Sequence, residues 1–182
     1  GEFMGVVTQK DPAVEPPGAE DLHAVGSSVR IHKSVRMPDG SVRLVVQGGF
    51  RFRILRVVQV NPYLRGDIEV LPSLLPTEDE IEVDALTRGV HAVFSKVVEM
   101  SPQLADEVGS LAATLNDPGR LADFVAQNLP NLDTENRQKI LETQRVRDRL
   151  KTVHEALLRE QEVLEVGSKI ESQVKNEVGR TQ

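Results

Sequence analysis

Apolar and polar residues alternate through much of the first 72 positions. Beyond them, apolar residues recur at spacings of mostly three to five. The alternation predicts strands. Gly5–Gln9 is short, apolar and β-branched, and a turn-rich stretch from Asp11 to Gly26 follows it, with Pro12, Pro16, Pro17 and Gly18. Val29, Ile31, Val35 and Met37 then take odd positions, with Arg30, His32, Ser34 and Arg36 between them. Pro38-Asp39-Gly40 is a turn signal, and Val42, Leu44 and Val46 resume the pattern, which together predict a β-hairpin. Gly48-Gly49 marks a bend or bulge. Phe50, Phe52 and Ile54 share one face beyond it, opposite Arg51 and Arg53. Asn61-Pro62 breaks the run. Leu64–Leu71 gives a last strand, with Gly66, Ile68 and Val70 inward and Arg65, Asp67 and Glu69 outward. Short strands at this spacing predict a small, curved antiparallel sheet or barrel.

From Pro76 the period is helical. Thr77 with Glu80 three residues on has the form of a capping box. Ile81, Ala85, Val90, Val93, Phe94 and Val97 follow as the apolar stripe of an amphipathic helix. Ser101-Pro102 ends that helix and is also expected to start the next, and Asp117-Pro118 repeats the device of an N-cap followed by proline at the first helical position. Asp133 is the candidate cap of a short helix containing Ile140 and Leu141.

Residues 145–178 contain no proline and predict one long helix, roughly 50 Å at 1.5 Å per residue. Its stripe of Val146, Leu150, Val153, Leu157, Leu164, Ile170, Val174 and Val178 is interrupted at Gln161 and Gly167. A mid-helix glycine costs about 1 kcal/mol relative to alanine, so Gly167 is a hinge candidate. The helix reads as an arm toward further protein.

Charge changes at the same boundary as the periodicity: residues 1–72 hold 9 Lys/Arg against 8 Asp/Glu, and residues 73–182 hold 13 against 20. With one Tyr, no Trp and a net charge of −6, the chain is poorly equipped to stack bases or to bind nucleic acid generally. Zero cysteine excludes disulfides, thiolate metal sites and cysteine nucleophiles. No apolar run approaches the roughly 18 residues of a membrane span. Phosphate-binding glycine motifs and a G-x-S-x-G elbow are missing, and no S-x-x-K stretch stands out as a nucleophile site. His23, His32, His91 and His154 lie in different elements, without metal-ligand spacing. The cations Arg30, Lys33, Arg36, Arg43, Arg51, Arg53, Arg56 and Arg65 read as the solvated face of a sheet. An anion-binding face, RNA included, is the sharper alternative.

Four stretches resemble the amino-terminal domain of Lon, the ATP-dependent protease. They are Gly5–Pro12; Val25-Gly26 with Met37–Gly48; Arg51–Ile54 leading to Tyr63-Leu64-Arg65; and the run Gln138–Thr143, Val146–Leu150, Glu160–Glu165 and Lys169–Lys175. The resemblance implies an α+β chain, in which an incomplete PUA-like antiparallel β-barrel or sheet lobe precedes an α-helical bundle with one long C-terminal helix. The expected divisions are a cloning scar at 1–4, a β-rich lobe at 5–75, a bundle at 76–143, and at 144–182 an exit helix toward an ATPase module. It implies a non-catalytic region that binds unfolded, damaged or degron-bearing proteins and helps a hexameric ring assemble. The ATP and Mg²⁺ site and the Ser–Lys dyad of an endopeptidase La-type parent would lie in later domains. Neither cofactor nor metal is expected in this stretch, nor is a membrane or nucleic-acid partner, and the bacterial cytoplasm is expected ahead of a mitochondrial matrix.

Family members begin with a further strand and helix, so the β lobe is expected to lack a strand partner, expose an edge and apolar surface, and pair with other copies. A strictly monomeric mass at high concentration would count against that pairing. Candidate substrate contacts are Phe50, Phe52, Ile54, Tyr63 and Leu64, with burial in the core as their competing fate. The two alternative functions are a stand-alone PUA-like RNA-binding module and a coiled-coil spacer.

Overall fold

The computed structural model describes residues 3–181. The chain divides into two compact units between Pro72 and Ser73.

The first unit is an open four-stranded antiparallel sheet whose spatial order follows the sequence: β1 Phe3–Val6, β2 Val25–Arg36, β3 Val42–Gln59 and β4 Arg65–Leu71. Phe3 and Met4, expected to precede the fold, are part of β1 and pair with Arg30 and Val29. Ladder hydrogen bonds need only extended backbone, so these residues join whatever their side chains. The β1–β2 connection holds a 3₁₀ turn at Ala19–Asp21, and the Asp21 carboxylate accepts from the Gly18 amide at 2.7 Å.

The β2–β3 turn forms where Pro38-Asp39-Gly40 predicted it. Gly40 sits at φ 85°, a left-handed conformation that glycine adopts without steric cost. Its amide donates to the Met37 carbonyl at 3.0 Å. Asp39 Oδ1 accepts from the Ser41 amide at 2.8 Å and the Ser41 hydroxyl at 2.6 Å, which holds the Asp39 carboxyl below its usual range. Register shifts fall between Ser27 and Val29 of β2, opposite the Gly48–Arg51 stretch, and between Ile31 and Lys33. The first is the bulge foreshadowed by Gly48-Gly49.

Burial in this unit is confined to a few residues, chiefly Val25, Ser28, Val29, Phe52 and Leu71. The Phe52 ring lies against Gly5 and Gly26, where a Cβ on either glycine would come within 2.9 Å of it. Ile68 and Val70, expected inward, are exposed, because no second layer among the residues of this unit covers that face.

The second unit is helical. A 3₁₀ turn at Thr77–Asp79 leads into α1 Glu80–Met100, followed by α2 Asp106–Ala113, α3 Pro118–Asn128, α4 Thr134–Glu142 and α5 Val146–Thr181. Two of the foreseen caps are present: Asp117 accepts from the Arg120 amide and Asp133 from the Asn136 amide, each at 2.7 Å. Two are not. Thr77 lies inside the 3₁₀ turn and makes no side-chain cap, and Ser101 ends α1 rather than starting α2, which begins at Asp106.

The core lies between α1, α3 and the first half of α5. Val90, Phe94 and Val97 face Leu121, Val125, Leu150, Val153 and Leu157, all essentially inaccessible. Phe94 meets Phe124 edge to face, with ring centroids 6.5 Å apart. Burying each such aliphatic side chain contributes on the order of 1.5–3 kcal/mol. The packed stripe of α5 runs from Val146 to Leu164. From Glu165 to Arg180 the helix is exposed, and it continues unbroken through Gly167.

Candidate functional site

The five sequence-predicted contact residues are all on the sheet unit, with different exposures. Phe52 is buried beneath the β1–β2 backbone and Ile54 is half-buried opposite Ile68. Phe50, Tyr63 and Leu64 are exposed, Tyr63 most of all at 63 %. Tyr63 and Leu64 sit in the β3–β4 connection, whose backbone is tied by Gln59 Nε2 donating to the Tyr63 carbonyl at 2.9 Å. Phe50 is held by its amide, which donates to the Ser28 hydroxyl at 2.8 Å. The geometry therefore separates one anchoring residue, Phe52, from three accessible ones.

Around those three, much of the unit's apolar surface is open. Leu55, Val58 and Val60 of the β3 end and Ile68 and Val70 of β4 are exposed. So are Ile31, Val42, Leu44 and Val46 of the hairpin. Single exposed aliphatics are ordinary, but this many on one small sheet make it a candidate binding surface.

The sheet also has unpaired edges among the described residues. β1 pairs only Ser27–Arg30, and β4 pairs only Arg51–Gln59. That leaves Ile31–Arg36 of β2 and Val42–Gly49 of β3 with no neighbour on their outer sides. Such edges can accept a strand from another chain.

The cations of this unit do not form one continuous face. Arg53 is paired with Glu69 at 3.1 Å and Arg56 with Asp67 at 2.6 Å. Lys33, Arg36 and Arg43 are exposed, and no described carboxylate pairs with them.

The helical unit holds a group of ionic contacts that periodicity did not reveal. Asp79 is buried, with its carboxylate gripped by Arg145 through two hydrogen bonds, Nε to Oδ2 at 2.6 Å and Nη2 to Oδ1 at 2.9 Å. Arg147 adds a third at 3.2 Å. The Arg145 hydrogen bond is the main reason the Asp79 carboxyl lies below its usual range; burial opposes it, and the charges of Arg145 and Arg147 add to it. Arg149 is wholly buried. Its Nε and Nη2 donate to the Thr143 carbonyl at 3.0 and 2.9 Å, which satisfies the end of α4. These residues fix where α5 begins.

Ser95, Val98, Glu99, Asp106, Gly109 and Ser110 line a shallow, open depression of about 290 Å³ between α1 and α2. No group of three His, Asp or Glu side chains among the described residues is arranged to hold a metal ion. No described helix is long and apolar enough to cross a membrane.

The open sheet followed by a helical unit with a long last helix is a known arrangement. The N-terminal domain of the Mycobacterium avium complex Lon protease superposes with a TM-score of 0.63 over 85 % of this chain and 89 % of that one, at 21 % identity. That likeness defines the fold class.

Residues 2–159 match the family model described as the ATP-dependent protease La (LON) substrate-binding domain, and the chain belongs to that family. Curated relatives agree. The Lon protease of Koribacter versatilis is 41 % identical over 97 % of this chain, and that of Anaeromyxobacter dehalogenans is 38 % identical over 100 %. The chain spans 22 % and 21 % of those two proteins.

Proposed function

We propose that this chain is the substrate-recognition region of an ATP-dependent Ser–Lys protease. In this reading it is non-catalytic, captures unfolded or degron-bearing proteins, and helps its parent assemble as a hexamer. The observation that carries the reading is the open apolar surface of the sheet unit, in a chain whose family is named for substrate binding. Exposed aliphatic and aromatic side chains attract apolar segments without demanding a sequence, and unpaired edges offer backbone pairing to any extended chain. Folded proteins present neither in quantity, so the surface discriminates by folding state. Each contact is weak, and several copies around a ring would supply avidity. The same edges suit pairing between copies. ATP and Mg²⁺ belong to the parent's other domains, and the bacterial cytoplasm is the compartment that fits the relatives.

The test compares one labelled model protein in its native form and in a permanently unfolded form by fluorescence anisotropy. Binding of the unfolded form alone, weakened by Tyr63→Ser and Leu64→Ser, is the expected result. Equal binding of both forms, or of neither, contradicts the proposal.

A further inference from the structure

Beyond the four-stranded part of the sheet, β2 and β3 run on as a two-stranded ribbon, Ile31–Arg36 against Val42–Val46. Its strand residues are exposed on both faces, and both outer edges are free among the described residues. A ribbon of two strands is marginal in water by itself, and a third strand would stabilise it.

The two faces differ in chemistry. Directly paired residues share a face. Lys33 pairs with Val45 and Val35 with Arg43, which puts two cations on one side of the ribbon. Arg30, the last β2 residue paired to β1 and seated 5.1 Å over the Phe3 ring, lies on that same side at the ribbon's base. Ile31 pairs with Val46, Ser34 with Leu44 and Arg36 with Val42, so the other side is mainly aliphatic. The register shift between Ile31 and Lys33 brings about this separation: without it, Ile31 and Lys33 would share a face. The only carboxylate between residues 30 and 50 is Asp39, against four Lys/Arg.

The two edges are not equivalent. β4 ends at Leu71, opposite Arg51, and no described residue continues alongside β3 from Phe50 back to Val42. The β3 edge is therefore left to another chain.

We propose that the β3 edge, Val42–Gly49, takes up an extended segment in which acidic and apolar residues alternate. The segment adds as a strand. Its carboxylates lie on the side of Arg30, Lys33 and Arg43, and its apolar residues on the side of Val42, Leu44 and Val46. A strand's period of two matches the two-faced ribbon, so the order of residues matters as well as their composition. The proposal rests on the substrate-recognition reading and names the chemistry of the segment captured. A nucleic acid fits less well: it would leave the aliphatic face open, and the exposed rings on the cationic side, Phe3 and Phe50, lie beside each other at the ribbon's base, with Arg30 over Phe3, rather than along the Val42–Val46 stretch.

The test uses the full 182-residue chain and short labelled peptides. One peptide alternates Glu and Val, one has the same composition in two blocks, and one alternates Lys and Val. A single-stranded oligonucleotide and the permanently unfolded protein complete the set. The alternating acidic peptide should bind roughly fivefold or more tightly than the block peptide. Lys33→Glu with Arg43→Glu should reverse the preference between acidic and basic peptides, with the circular dichroism spectrum unchanged. Equal binding of alternating and block peptides, no reversal in the double variant, or preference for the oligonucleotide overturns the proposal. If these peptides fail while the unfolded protein still binds, only this proposal falls. If the unfolded protein fails too, the substrate-recognition reading falls with it.

Discussion

Asp79 and Arg145 lie 66 residues apart in sequence and are joined by two hydrogen bonds of 2.6 and 2.9 Å, on a carboxylate that is 2 % exposed. The pair ties the turn before α1 to the residue before α5. Because the folded-state pKa of Asp79 is lowered, the unfolded chain binds the proton more tightly. The pair's contribution is therefore fully present above the unfolded carboxyl value of about 3.9, and is lost as pH falls through the lower folded value. Asp79→Asn removes the charge while keeping the shape, and leaves Arg145 and Arg147 without their buried anion. Its thermal midpoint should fall by several degrees at neutral pH. The difference from the parent chain should shrink as pH is lowered below about 4. Thermal melts across that range check both.

Leu150 is wholly buried where α5 crosses α1 and α3. Truncating it to alanine leaves a cavity that the surrounding helices only partly close. Leu150→Ala should cost about 2–5 kcal/mol of the helical unit's stability, measured by urea unfolding. Leu158→Ala, on the exposed side of the same helix, should cost little.

Phe52 and Tyr63 should part company under mutation. Phe52 fills the space over Gly5 and Gly26, so Phe52→Ala should destabilise the sheet unit by about 3–5 kcal/mol. Tyr63→Ser should leave the unfolding midpoint nearly unchanged and weaken capture of an unfolded protein. Parallel denaturation and anisotropy measurements on the two variants separate anchoring from contact.

Gly167 has open space around its Cα, so an added methyl group meets nothing within 4 Å. Gly167→Ala should raise amide protection in the exposed half of α5 by about 0.5–1 kcal/mol, read by hydrogen exchange.

Local signals carried much of the fold. Pro38-Asp39-Gly40, Asp117-Pro118 and Asp133 each act within four residues, so the turn and both caps were legible from sequence. The alternation from Val29 to Val46 likewise gave the hairpin. What was not legible depends on distant partners. Period alone marked Ile68 and Val70 as inward, but inward has meaning only where another layer covers the sheet, and here both are exposed. Arg145, Arg147 and Arg149 read as helix-surface charges, while their partners lie in separate segments. Among the contact candidates, the shared face of Phe50 and Phe52 was read from i, i+2 spacing. Both rings do lie on one face, but spacing alone does not say that Phe52 is covered against Gly5 and Gly26 while Phe50, with its ring 6.1 Å from that of Phe3, stays exposed.

The most direct test of the account follows amide shifts in the isotope-labelled chain as one model protein is added in its native and permanently unfolded forms. Shifts are predicted only with the unfolded form and within the sheet unit, centred on Phe50, Tyr63, Leu64 and the Val42–Gly49 edge. Shifts confined to the helical unit, or of equal size with the native form, would contradict substrate capture by the sheet.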